Sequence, residues 1–100
     1  MIPPLQPHPD HEPLVKEYEV AGYHHVHIRH DNPGLRYAPH YHPDHVVLDV
    51  IEGELQTDIN GHVTILRPGQ KITIDAERFH TTVIGPNGCI YLHAEKHVTS

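Results

Sequence analysis

One hundred residues, with thirteen acidic against seven basic side chains, give a formal net charge of −6. The length allows one core, and with no Lys/Arg cluster to neutralise phosphates the charge balance argues against nucleic acid as a partner. No apolar run approaches membrane-spanning length, and Met1-Ile2-Pro3-Pro4-Leu5 lacks a cationic segment ahead of an apolar one, so a soluble cytoplasmic protein is the expectation.

Residues 1–13 hold five prolines and two histidines without an apolar period, which predicts an extended Pro/His-rich arm ahead of a domain over 14–100. From Val15 the chain reads as short alternating segments between turn signals. Val15–Val20 and Tyr23–His30 predict strands, closed by Asp31-Asn32-Pro33-Gly34. Leu35–His42 is a strand interrupted by Pro39, and Pro43-Asp44 bends the chain. Val46–Ile51 is strongly apolar and is stopped at Glu52-Gly53. Leu55–Ile59 and His62–Leu66 flank Asn60-Gly61, a strong hairpin signal. Pro68-Gly69 turns into Lys71–Asp75, and His80–Ile84 leads through Gly85-Pro86-Asn87-Gly88 to Cys89–Ala94. No window sustains a helical period. About nine short strands with Gly/Pro turns predict an all-β sandwich or barrel. Its inward set is Val46, Leu48, Val50, Leu55, Ile59, Ile65, Ile72 and Ile74. Cys89 is the lone cysteine and reads as a small buried hydrophobe.

Histidine is the anomaly, at thirteen residues spread along the chain. His8, His11 and His97 lie in or beside the tails and read as solvated bystanders. His40 and His42 are different. At i and i+2 on a strand their imidazoles share a side, so both can reach one metal ion. His80, on a strand returning across the same face, completes a three-nitrogen cap.

These residues resemble the cupin superfamily. Gly34, five residues, His40-x-His42 and ten residues to Gly53 are similar to its first motif; Gly61, Leu66-x-Pro68-Gly69 and ten residues to His80 are similar to its second. The resemblance spans roughly residues 20 to 94. It implies a double-stranded β-helix (jelly-roll) barrel with a divalent metal near its mouth. Departures are visible: Val46 stands where the first motif has a Glu or Gln ligand, Ile84 where the second has Asn, and Ile74-Asp75-Ala76-Glu77 replaces the usual Ile-Pro-x-Gly. The pattern therefore reads as a three-histidine variant of the metal site, His40, His42 and His80, with a metal-free cupin as the competing reading. His45 follows the bend at Pro43 and reads as a rim or surface histidine.

Three neutral imidazoles leave a divalent ion its full charge, which suits an anionic, chelating substrate. Imidazole accepts iron, zinc, nickel, copper or manganese; iron is the leading expectation. Arg36 shares a face with His40 and His42 if Pro39 keeps the strand phase, and would then clamp a carboxylate; otherwise it bends to solvent. Tyr91 and His93 alternate with Ile90 and Leu92, and His25 and His27 with Val26 and Ile28. The apolar members are expected inside, and reversal of phase would bring the polar ones to the cavity.

The resemblance thus implies a metal-binding small cupin, with a non-haem iron dioxygenase of a small chelating acid or diketone as the first expectation. A metal-dependent isomerase or lyase of a sugar acid and a non-catalytic ligand-binding cupin are the alternatives. A homodimer is the assembly that the resemblance implies.

Overall fold

The computed structural model describes residues 11–98. Most of the expected N-terminal arm lies outside them. One helix, α1 (Glu12–Val20), is followed by six strands: β1 (His24–Asp31), β2 (Arg36–His40), β3 (His45–Ile59), β4 (His62–Leu66), β5 (Lys71–Ile74) and β6 (His80–Lys96).

Two long antiparallel strands, β3 and β6, organise the fold. The first part of β3 and the last part of β6 pair from His45↔Lys96 to Gly53↔Cys89, and the remainder pair from Leu55↔Ile84 to Ile59↔His80. Register shifts at Val50/Glu52 and Gly53/Leu55 separate the two halves. The outer strands divide accordingly. β1 joins the Cys89–Glu95 part of β6 and β5 joins the Val46–Asp49 part of β3, while β2 and β4 join the other halves. Two layers therefore share the same two strands, and the ladder folds over without closing into a full barrel.

The bend depends on glycine. Gly53 has φ +78°, and a Cβ placed on it would lie 2.1 Å from the Gly88 carbonyl oxygen. Only a residue without a side chain lets the strands cross so closely. The sequence signals at Glu52-Gly53 and Gly85–Gly88, expected to end strands, bend them instead. These two mergers reduce nine expected strands to seven, and the helix at α1 replaces one more. The Asn60-Gly61 hairpin forms between β3 and β4 as its sequence indicates, with φ +52° and +82°.

The expected strand at Val15–Val20 is a helix. Pro13 sits in the first turn, where its missing N–H costs nothing. Leu14 and Tyr18, four residues apart, then fall on one helix face. That face packs on Val47, Leu92 and Ala94, and the Tyr18 hydroxyl donates to Asp49 Oδ2 at 2.7 Å. The opposite face of the ladder carries the main core of Val46, Leu48, Val50, Leu55, Leu66 and Ile74, joined by Ile84, Cys89 and Tyr91. Ile59 and Ile72 pack against it, but Ile65 is exposed and Leu66 faces inward in its place. Burial lifts the Cys89 thiol to about 11, which keeps it a protonated core group.

Candidate metal centre

The β2–β6 register sets His40 beside His80, and His42 follows two residues beyond. The ring centroids of His40 and His80 are 4.2 Å apart, those of His40 and His42 5.2 Å, and those of His42 and His80 5.8 Å. One donor nitrogen from each lies within 4.8 Å of the others. Two separate chain segments thus bring three imidazoles together.

Hydrogen bonds at two of the three rings decide which nitrogen is left for a metal. His40 Nδ1 is 2.7 Å from the Ala38 carbonyl oxygen, and His80 Nδ1 is 3.0 Å from that of Arg78. A carbonyl only accepts, so each Nδ1 carries the proton and each Nε2 keeps its lone pair. His42 Nδ1 lies 3.6 Å from Glu95 Oε1. Burial, and then the neighbouring His40, push the His42 pKa down, against the pull of Glu95 and Asp44. Burial also lowers His80; its bond to the Arg78 carbonyl opposes this, while His40 and His42 reinforce it. With Nδ1 of His40 and His80 engaged in this way, Nε2 is the nitrogen each offers to a divalent ion.

The loops bearing these histidines are tied to each other. Glu77 N–H donates to the His42 carbonyl at 2.7 Å, and Ala76 N–H donates to His45 Nδ1 at 3.1 Å. Glu77 adopts φ +63°, an unfavourable conformation for a side-chain-bearing residue, to make this contact. His45 stands outside the triad and braces the turn before His80.

Beside the triad opens a cavity of about 400 Å³. Val46, Leu48 and Thr82 form part of its lining, and Arg29, Tyr37, Tyr91 and His93 form a polar wall. Asp31 Oδ2 accepts from the Tyr37 hydroxyl at 2.7 Å and from the Tyr91 hydroxyl at 2.6 Å, and Arg29 donates to the Tyr37 oxygen at 2.9 Å. Burial, followed by the bond to Asp31, raises the Tyr91 pKa and keeps the phenol protonated. His93, whose ring centroid is 5.7 Å from that of His42, is pushed down to about 4 by burial first and by His42 and Arg29 next.

Several expectations are corrected here. Arg36 is exposed and absent from the lining. It pairs with Val83, whereas the cavity-lining Tyr37 pairs with Thr82; a register shift between Tyr37 and His40, around Pro39, breaks the phase that would have put Arg36 beside His40. Arg29 is the cavity arginine instead. Tyr91 and His93, expected outside, face in, because α1 buries the other face of β6 and leaves Leu92 and Ala94 beneath it. His27 pairs with His93 but is exposed, as is His25. The alternation of Arg29 with the helix-facing Val26 and Ile28 was the signal for this wall, and it is readable only once the helix is known.

No protein-family model matches the sequence, and no curated protein matches it. Solved structures do. A conserved protein with a double-stranded β-helix domain from Klebsiella pneumoniae is 30% identical with TM-score 0.62, over 71% of this chain and 64% of that one. A cupin-like protein from Thermotoga maritima is 24% identical with TM-score 0.67, over 73% and 56%. An RmlC-like cupin from Shewanella frigidimarina is 21% identical with TM-score 0.65, over 75% and 67%.

Proposed function

Because this chain is a small protein of the cupin fold, a double-stranded β-helix, with three convergent histidines, we propose that it is a metal-dependent enzyme acting on a small chelating acid or diketone. The observation that carries this reading is the triad itself, with Nδ1 of His40 and His80 donating to carbonyls and Nε2 of each left free. His40, His42 and His80 would hold the ion. As iron, that ion would supply Lewis acidity and oxygen activation, the chemistry of a non-haem dioxygenase.

The remaining residues bind and orient. Arg29 takes the clamp role first given to Arg36: it gives one N–H to Tyr37 and has others for a substrate carboxylate. Val46 and Leu48 keep water from one side and strengthen electrostatics in the cavity. A cavity of about 400 Å³ suits a small substrate.

A second reading, a metal-dependent isomerase or lyase, draws on the polar wall. His93 stays unprotonated at neutral pH, and Tyr91 holds its proton against Asp31, so a proton acceptor and a proton donor share one cavity.

The test is metal content by plasma mass spectrometry of protein expressed without a His tag, beside His80→Ala, followed by oxygen-uptake screens on small acids and diketones. Near-stoichiometric iron, lost in the variant, with substrate-dependent uptake supports the dioxygenase. Metal without uptake, but with exchange of substrate hydrogen for solvent deuterium, selects the second reading. Little metal in either protein after reconstitution overturns both.

A further inference from the structure

A second group of ligating side chains lies outside the cavity. His24 at the start of β1, Asp44 in the turn after His42, and His97 just past the end of β6 place one donor atom each within 4.8 Å of one another. The three segments are far apart in sequence, and none of these residues belongs to the triad.

The spacing is already near what an ion requires. His24 Nε2 is 3.1 Å from Asp44 Oδ2, and His97 Nδ1 is 3.4 Å from Asp44 Oδ1. Two donors at 2.0–2.1 Å on a tetrahedral zinc ion stand about 3.3–3.4 Å apart. The His24 and His97 rings stack with centroids 4.0 Å apart and 21° between planes, so an ion taking a nitrogen from both would need the His97 ring to turn out of the stack. His24 Nε2 carries a proton to Asp44 Oδ2, which an ion would have to displace, and Nδ1 of the same ring is buried without a hydrogen-bond partner. His97 is 76% exposed, which leaves the group open to an ion from solvent.

We propose that His24, Asp44 and His97 form a second divalent-metal site, taking zinc or another borderline transition ion in a two-nitrogen, one-oxygen set. Unlike the triad, it includes a carboxylate, which lowers the charge on the ion to about +1 and favours a bracing role over Lewis acidity. An ion here would join the start of β1, the end of β6 and the turn that follows His42. It would brace the loop on which a triad ligand stands.

The experiment is a zinc titration of the tag-free full-length chain, with stoichiometry read by equilibrium dialysis and plasma mass spectrometry. The expected result is two equivalents for the wild type, one for Asp44→Asn, one for His97→Gln, one for His80→Ala, and none for His80→Ala combined with His97→Gln. His97 is a surface residue, so its variant keeps the fold, which circular dichroism checks. One equivalent in the wild type, or two in both Asp44→Asn and His97→Gln, overturns the proposal. Loss of zinc in His80→Ala alone, with one equivalent retained in the wild type, supports the triad and still overturns the second site.

Discussion

Val46 and Glu95 face each other in the β3–β6 ladder, and the Glu95 carboxylate stands 3.6 Å from Nδ1 of His42. The carboxylate missing at Val46 is thus supplied by the paired strand, one imidazole behind the triad. Its charge pulls the His42 pKa up against burial, as a carboxylate behind a metal-binding imidazole would.

Removing that charge tests the arrangement. Glu95→Gln is expected to weaken metal binding about 10-fold to 100-fold while keeping the stoichiometry of the triad. Competition against a chelating dye reads the change. An unaltered affinity would show that the ring is positioned without Glu95.

Metal held at the triad would couple to stability. Ion present at about 100 times its dissociation constant adds roughly 2.7 kcal/mol to the folded state. Thermal melts with added ion and with chelator should therefore differ by several degrees in the wild type. His80→Ala should lose most of that difference, because two imidazoles remain where three converged.

The metal-free chain should weaken in mild acid. His93 takes its proton at about 4 when folded, against 6.5 as its ordinary value. Between those values the unfolded chain binds the extra proton, so stability rises with pH. The contribution is present above about pH 6.5, is lost progressively as pH falls toward 4, and does not fall further below that. Its size is on the order of 3 kcal/mol. His42 and His80, also shifted down, act in the same direction. Urea midpoints measured in chelator across this window should flatten in His93→Gln.

Gly53 and Gly61 share a positive φ but not a neighbourhood. A Cβ at Gly53 meets the Gly88 carbonyl oxygen at 2.1 Å, whereas at Gly61 it meets nothing within 4 Å. Gly61→Ala should cost about 1 kcal/mol from backbone strain alone. Gly53→Ala should cost roughly 3 kcal/mol or more, because the crossing strands must part. Chemical denaturation of the two variants side by side measures the difference.

The triad was legible because the two-residue period of a strand fixes which side His40 and His42 share, and the spacing to His80 matched a known pattern. The cavity wall was not. Nine helical residues with an exposed outer face left only Leu14, Val15 and Tyr18 as a helical signal, and without the helix the apolar face of β6 looks like the inner one. Tyr91 and His93 were misplaced for that reason. Arg36 was misplaced by the register shift around Pro39, which alternation cannot show. Gly53 announced a change of direction, but a turn and a bend have the same composition there.

The shared strands have a consequence for when the three histidines come together. His40 meets His80 only through a ladder between distant parts of the sequence, and that ladder depends on β3 lying beside β6 along almost its whole length. Contacts of this kind form after large loops have closed, so they come late and slowly. The three-nitrogen cap is therefore absent until the topology is complete. Before then the same chain is a flexible polymer of thirteen histidines, able to chelate in many wrong combinations. Timing would then matter: an ion arriving after assembly would meet histidines already brought together, while an early one would hold the nascent chain in tangles that must release it before the strands can zip.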